Sequence, residues 1–140
     1  MTTTLMGPVL AQIGLTFLVF VLLYVRRLPA MAAAKPTPEQ MQDKGNLQKL
    51  PAPARFAAEN YNHQFEMPVL FYVLSIATMV VGLADDLSLM LAWAYVGLRA
   101  VHAIIHCTYN NVLHRFFVFL LSAMTLLIYF VHVALKYWGA

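Results

Sequence analysis

The chain has 140 residues, of which 61% are hydrophobic and 11% are charged, and its formal net charge is +3 at pH 7. Soluble domains carry about 25% charged residues, and a chain of this length has no core large enough to hide so much apolar surface. The composition therefore excludes a soluble globular domain and indicates a single membrane domain that comprises residues 1–140.

Four apolar stretches follow one another along the chain, at residues 5–25, 65–83, 87–105 and 116–137. Each has about the 20 residues that a helix needs to cross the hydrocarbon core of a bilayer. The sequence therefore predicts an all-α integral membrane protein that folds as a four-helix bundle. The second helix is expected to begin near Ala54 and to continue into the bilayer without interruption, since Pro53 is tolerated in a first turn.

The charges between these stretches predict their orientation. Residues 26–54 form a long basic loop, whereas the link LADDLS (residues 83–88) holds two aspartates and no basic residue. Because positive loops stay in the cytoplasm, we expect loop 26–54 to be cytoplasmic and both termini to face the other side. Outside residues 26–55 the chain has no basic face, so nucleic acid is not expected as a partner.

Polar side chains recur on the third stretch at a depth where a membrane normally excludes them. Arg99, His102, His106 and Tyr109 are spaced i, i+3, i+7 and i+10, which places them on one face of a continuous helix. A charged side chain at this depth costs a few kcal/mol or more unless it is paired. The spacing therefore predicts one wall of a polar site, with Arg115 at its cytoplasmic rim.

A second polar stripe leads into the second stretch. Arg55, Glu59, Asn62 and Glu66 are spaced i, i+4, i+7 and i+11, again one helix face. A rise of about 1.5 Å per residue brings Glu66 to the depth of the third-stretch polar residues. We therefore expect the two stripes to face each other inside a bundle or across a subunit interface, with an ion pair between Arg99 and Glu66.

With these stripes the chain resembles the MAPEG family, the membrane-associated proteins in eicosanoid and glutathione metabolism. The likeness covers nearly the whole chain. RFAAENYNHQFEMPVLF (residues 55–71) is similar to the family's pattern of Arg, Asn and Glu before an apolar run. RAVHAIIHCTY (residues 99–109) resembles the Arg-x-x-His pattern of the family's synthases. Asn62 and Glu66 stand four apart rather than three, and His106 replaces the expected Tyr, which indicates a divergent bacterial branch.

The resemblance implies a homotrimer in a bacterial inner membrane, with glutathione bound as a co-substrate between subunits on the cytoplasmic side. It further implies thiol transfer to a lipophilic electrophile that enters from the lipid, or reduction of a lipid hydroperoxide. Arg115 would stabilise the glutathione thiolate by its charge, and Tyr109 would donate a hydrogen bond to the sulfur. The residues expected to bind glutathione are Arg55, Asn62, Glu66, Arg99, His102 and His106.

Other interpretations stay open. Some family members do not conjugate glutathione, so the alternative function is a non-catalytic lipid-binding or regulatory protein of the same fold. Arg99 and Glu66 could form a purely structural pair. His102 and His106 have the i, i+4 spacing of metal or haem ligands, although such pairs more often hydrogen-bond within a bundle. The single cysteine, Cys107, excludes an internal disulfide and is interpreted as a small core residue.

Overall fold

A computed structural model describes residues 4–35, 37–42 and 44–139 of the chain. This part is helical and contains no strand, which confirms the all-α fold class. Its elements are α1 (Met6–Ala34), α2 (Pro38–Gln42), a 3-10 helix (Lys44–Lys49), α3 (Ala52–His63), α4 (Met67–Val80), α5 (Asp86–Cys107) and α6 (Val112–Gly139).

The long helices alternate in direction. The backbone N–H of Leu5, just before α1, lies 3.3 Å from the sulfur of Met79 near the end of α4. At the opposite end of the bundle, Arg26 of α1 donates to the carbonyl of Cys107, the last residue of α5, at 2.6 Å. Helices α1 and α5 therefore run one way, and α3, α4 and α6 run the other. We call the two ends the Asp85 end and the Arg26 end.

Three of the helices in the described part of the chain are long and apolar enough to cross a membrane, namely α1, α5 and α6. The remaining predicted span, residues 65–83, is the second in chain order and contains the 14-residue helix α4. At about 1.5 Å per residue, α4 is about 21 Å long, which is shorter than the hydrocarbon core. The bundle core includes Phe71, Tyr95, Leu126 and Tyr129.

The predicted continuous second helix is wrong, because the chain breaks between α3 and α4 at residues 64–66. Pro68 explains the break. It has no N–H to bond the carbonyl of Gln64, and its ring would clash with that carbonyl in an unbroken helix. Pro68 is instead accommodated in the first turn of α4. The break takes Glu66 out of the helical register of α3.

The turn between α5 and α6 is formed by two asparagines, as a pair of turn-forming residues indicates. Asn110 has a positive φ of 45° and donates its N–H to the carbonyl of Ile105 at 2.8 Å. The side-chain oxygen of Asn111 accepts from the first free N–H groups of α6, those of Leu113 and His114. Because α5 ends before this turn, Tyr109 is not on the helix face that carries Arg99 and His106, and that part of the prediction is wrong.

Asp85 ties the turn between α4 and α5 to the end of α6. Its carboxylate accepts from the N–H of Ser88, and the Ser88 hydroxyl accepts from the N–H of Asp85, both at 2.8 Å. His132 Nε2 and Lys136 Nζ lie 2.9 Å and 2.7 Å from Asp85 Oδ2. Partial burial acts to raise the pKa of Asp85, but the hydrogen bonds from Lys136, Ser88 and His132 together hold that pKa well below its usual range.

We expect Asp85→Ala to lower the free energy of unfolding by about 1–2 kcal/mol, as loss of a helix cap does. A lowered folded-state pKa means that the contribution of Asp85 is present above its unfolded pKa of about 4 and is lost as the pH falls further. Thermal unfolding in detergent should therefore show a difference between wild type and Asp85→Ala that shrinks below about pH 4. The control is Asp86→Ala, since Asp86 is exposed in the same turn. An equal loss in both variants would contradict the role of Asp85.

Candidate functional site

A line of hydrogen bonds crosses the bundle and joins α1, α3 and α5, and it approaches the Arg26 end at His106, the neighbour of Cys107. Gln12 Nε2 donates to Gln64 Oε1 at 2.9 Å, and Gln64 Nε2 donates to Asn60 Oδ1 at 3.1 Å. Asn60 Nδ2 then lies 3.3 Å from His106 Nδ1, and His106 Nε2 lies 3.1 Å from Glu59 Oε2. The side chains of Gln12, Gln64, Asn60 and His106 are buried. We call Gln12, Gln64 and Asn60 the amide chain.

The amide chain determines the tautomer of His106. An amide nitrogen only donates, so the Nδ1 atom of His106 must accept the hydrogen bond from Asn60. The neutral imidazole then carries its proton on Nε2, and that N–H donates to the carboxylate of Glu59. Every hydrogen bond in the line therefore points in one direction, from the buried end at Gln12 to the carboxylate at the surface.

Glu59 lines a polar cleft with a volume of about 270 Å³. The cleft lies between the end of α1, the segment before α3 and one face of α3. Its lining residues are Arg27, Gln48, Leu50, Ala54, Arg55, Ala58, Glu59 and Asn62. Arg55, Glu59 and Asn62 therefore share one face of α3, as their spacing predicts, and their part in binding a ligand stays a prediction.

The charged groups of the cleft are not paired with one another. The structure gives the Arg27 guanidinium no hydrogen-bond or ion-pair partner among the described residues, and its Nε atom is buried. Arg55 forms a hydrogen bond only through its Nε, which donates to the carbonyl of Leu50 at 2.9 Å, and its guanidinium carbon lies 6.0 Å from the centroid of the Phe56 ring. Glu59 uses only Oε2, toward His106, and its side chain is 42% exposed. Two guanidinium groups and one carboxylate oxygen are thus available to a ligand.

Glu66 does not join this cleft, and its predicted ion pair with Arg99 is absent between these two described residues. The break before α4 turns Glu66 to the surface, where its carboxylate pairs with His63 Nδ1 at 3.0 Å. Arg99 is 1% exposed and donates from Nη2 to the backbone carbonyl of His63 at 3.4 Å, while its Nε has no partner. Arg99 is therefore a buried cation with one long hydrogen bond, and Glu66 acts on it only from a distance, through the attraction of opposite charges.

His102 lies one turn from Arg99 on α5, and it is buried with an unpartnered Nδ1 atom. Its ring contacts those of His63 and His106, and the three ring centroids are 5.4–5.9 Å apart. Within the described residues no group of three His, Cys, Asp or Glu side chains has the geometry to hold a metal ion. Cys107 is buried, which agrees with its interpretation as a core residue.

The two residues predicted to be catalytic lie at the turn between α5 and α6. Arg115 occupies the first turn of α6, where its Nη1 donates to the side-chain oxygen of Asn110 at 2.8 Å. It is close enough to His102 and His106 to interact with them electrostatically. Tyr109 is 61% exposed, and its hydroxyl lies 3.2 Å from His114 Nδ1. Their catalytic roles stay predictions.

Sequence reasoning missed Gln12, Arg27 and Gln64 in this region, and it preferred Asn62 to Asn60. Gln12 is the only amide in an apolar run of about 20 residues, and this isolation was a usable signal. Asn60 could have been chosen instead of Asn62 as the asparagine that faces α5. The partner of Gln12 was not accessible, because Gln64 is 52 positions away in the sequence.

Comparison with known proteins gives one match. A model of the MAPEG family matches residues 5–135, which is nearly the whole chain. No curated protein and no solved structure matches the chain.

Proposed function

Because the chain belongs to the MAPEG family, we propose that it is a glutathione-dependent membrane transferase or peroxidase that acts on lipophilic electrophiles. Family membership and three apolar helices make it an integral membrane protein. The specific activity, the homotrimer, a bacterial inner membrane and a cytoplasmic position for loop 26–54 are parts of the proposal.

The observation that carries the proposal is the unpaired charge in the cleft. Arg27 and Arg55 both line it, and both have guanidinium nitrogens that the described residues leave without a partner. Guanidinium groups bind carboxylates with charge-assisted, often bidentate hydrogen bonds. Glutathione carries two carboxylates and one ammonium group, so its charges match the two arginines and Glu59.

The proposed chemistry requires the thiolate form of glutathione. A cation within about 4–6 Å of a thiol favours the charged form and lowers the thiol pKa by about 1–3 units. The position of Arg115 supports this role, because Arg115 lies in the first turn of α6 and is close enough to His106 to interact with it electrostatically. The thiolate sulfur would then form a bond to an electrophilic carbon. In a substitution, the electron pair of the broken bond would depart with the leaving group; in an addition to a double bond, the π electron pair would move to the neighbouring atom, which takes a proton from water.

We expect Arg115→Ala to reduce the glutathione thiolate signal about tenfold or more at pH 7, since the thiol pKa returns toward about 8.5. The measurement is a glutathione titration of the purified protein in detergent, followed by thiolate absorbance in the ultraviolet. The control is Lys49→Ala, because Lys49 is exposed and lies outside the cleft. An unchanged signal in Arg115→Ala, or a flat titration of the wild type, would overturn the proposed mechanism.

A second candidate function is binding of a lipid without catalysis. Helices α4 and α6 enclose an apolar groove of about 480 Å³, with a lining that includes Leu70, Val73, Leu127 and Phe130. In the proposed enzyme this groove is a route for a lipophilic co-substrate from the bilayer. A purified protein that retains a lipid but has no affinity for glutathione would favour a lipid-binding or regulatory role.

A further inference from the structure

Glu59 is the only carboxylate among the described residues that line the cleft. One of its oxygens accepts from His106, and the other has no partner among the described residues. It shares the cleft with Arg27 and Arg55, yet it forms no ion pair within 4 Å with either. A carboxylate kept apart from two nearby cations is available to a positively charged group of a ligand.

The orientation of Glu59 is determined from the interior of the bundle. The amide chain fixes His106 as the Nε2–H tautomer, and this N–H holds Glu59 Oε2 at 3.1 Å. Because His106 is a neutral donor in this arrangement, it orients the carboxylate without cancelling its charge. The buried amides of Gln12, Gln64 and Asn60 thus position a single negative charge at the surface of the cleft.

We propose that Glu59 selects ligands that carry a free ammonium group, and that the amide chain and His106 position it for this task. The inference rests on the proposed function, because it assigns one part of glutathione to one residue. A simple cation would be repelled by Arg27 and Arg55, and a simple dicarboxylate would be repelled by Glu59. The cleft therefore favours a zwitterionic ligand in which an ammonium group accompanies carboxylates, as in the γ-glutamyl end of glutathione.

The test uses two ligands without a thiol, S-methylglutathione and its N-acetyl derivative, which lacks the ammonium charge. Binding of each to the wild-type protein in detergent is measured by calorimetry. We expect the ligand with the ammonium group to bind about tenfold more tightly or better, as loss of one charge-assisted contact implies. The affinities of these ligands do not depend on thiolate formation. The comparison therefore tests recognition of the ammonium group independently of the thiolate titration.

Two matched variants identify the carboxylate. Glu59→Gln is expected to reduce the affinity ratio of the two ligands to near one, because the amide side chain has the shape of glutamate without its charge. Glu66→Gln removes one negative charge nearby, but Glu66 lies outside the cleft. The Glu66→Gln variant should therefore retain the wild-type ratio.

The positioning role is tested with Asn60→Leu, which removes the donor to His106 Nδ1. We expect nitrogen NMR of labelled histidine to show the Nε2–H tautomer of His106 in the wild type and a mixture of tautomers in Asn60→Leu. The affinity ratio should fall at the same time. A purely structural role for Asn60 would lower stability and leave the ratio unchanged.

Three outcomes overturn the inference: equal binding of the two ligands by the wild type, no binding of either, or a ratio that persists in Glu59→Gln. A wild-type ratio near tenfold together with a flat thiolate titration would support the inference and overturn the proposed transferase mechanism instead. If Glu59→Gln does not fold, the wild-type comparison of the two ligands and the Glu66→Gln control still decide whether the cleft recognises an ammonium group.

Discussion

Replacement of Arg99 by methionine is expected to raise the thermal stability of the ligand-free protein and to weaken its response to glutathione. Arg99 is 1% exposed, lies within α5 and has one hydrogen bond, at 3.4 Å, to a backbone carbonyl. Its Nε atom has no partner. A buried cation without a carboxylate partner costs free energy, since the lost hydration is not replaced.

The gain in stability should be about 1–4 kcal/mol, the range found when apolar residues of similar size replace buried ion pairs, because Arg99 has lost its hydration without gaining an ion-pair partner. Methionine fills the space of the arginine stem because it is unbranched and flexible. A charge that destabilises the empty protein is consistent with a functional role, since binding sites commonly retain such strain. We therefore expect the glutathione-induced increase in melting temperature to be smaller in Arg99→Met than in the wild type.

The matched control is Arg26→Met. Arg26 also lies in a long apolar helix, but its Nη1 donates to the carbonyls of Pro53 at 3.1 Å and Cys107 at 2.6 Å. Its loss leaves these carbonyls without that donor, so Arg26→Met should lower the melting temperature. Thermal unfolding in detergent, with and without glutathione, measures both variants. If Arg99→Met is destabilised as much as Arg26→Met, then Arg99 has a structural role, in which its hydrogen bond to the carbonyl of His63 stabilises the break between α3 and α4.

Helical periodicity predicted the parts of the site that lie on unbroken helices. Arg99, His102 and His106 are all buried on α5, as their spacing indicates, because α5 is regular over its 22 residues. On α3, Arg55, Glu59 and Asn62 line the same cleft for the same reason. A fixed rotation per residue is all that these assignments require.

The predictions failed where a helix ends. The assumed stripe on α3 continued to Glu66, and the stripe on α5 continued to Tyr109, yet α3 ends at His63 and α5 ends at Cys107. Pro68 was readable as a signal for the first of these ends. Pairing was harder to predict, because the partner of a polar side chain depends on how helices pack. Arg99, for example, forms no ion pair with a carboxylate, although the sequence placed Glu66 at a matching depth.

Gln64→Met is expected to be strongly destabilising, because Gln64 is the central member of the amide chain. It accepts from Gln12 at 2.9 Å and donates to Asn60 at 3.1 Å, and it is 1% exposed. Methionine has a similar volume but makes neither bond, which leaves Gln12 Nε2 and Asn60 Oδ1 buried without those partners. Each buried unsatisfied group costs about 1–3 kcal/mol, so we expect a total loss of at least about 2 kcal/mol.

The double variant Gln12→Met/Gln64→Met separates the loss of hydrogen bonds from a change in packing. Replacing both partners of a buried hydrogen bond with apolar groups is far less costly than replacing one. The double variant should therefore regain at least about 1 kcal/mol relative to Gln64→Met, although it carries one more substitution. Chemical unfolding in mixed detergent micelles, followed by helical ellipticity, measures the wild type, both single variants and the double variant.

The two outcomes have different consequences for His106. A recovery in the double variant means that Gln12 and Gln64 form one coupled unit. We then expect a change at Gln12 in α1 to affect the tautomer of His106 through Asn60 as well. No recovery means that Gln12 and Gln64 act independently. The orientation of Glu59 would then depend on Asn60 and His106 alone, and of the buried residues in this line only these two would affect the ligand preference of the cleft.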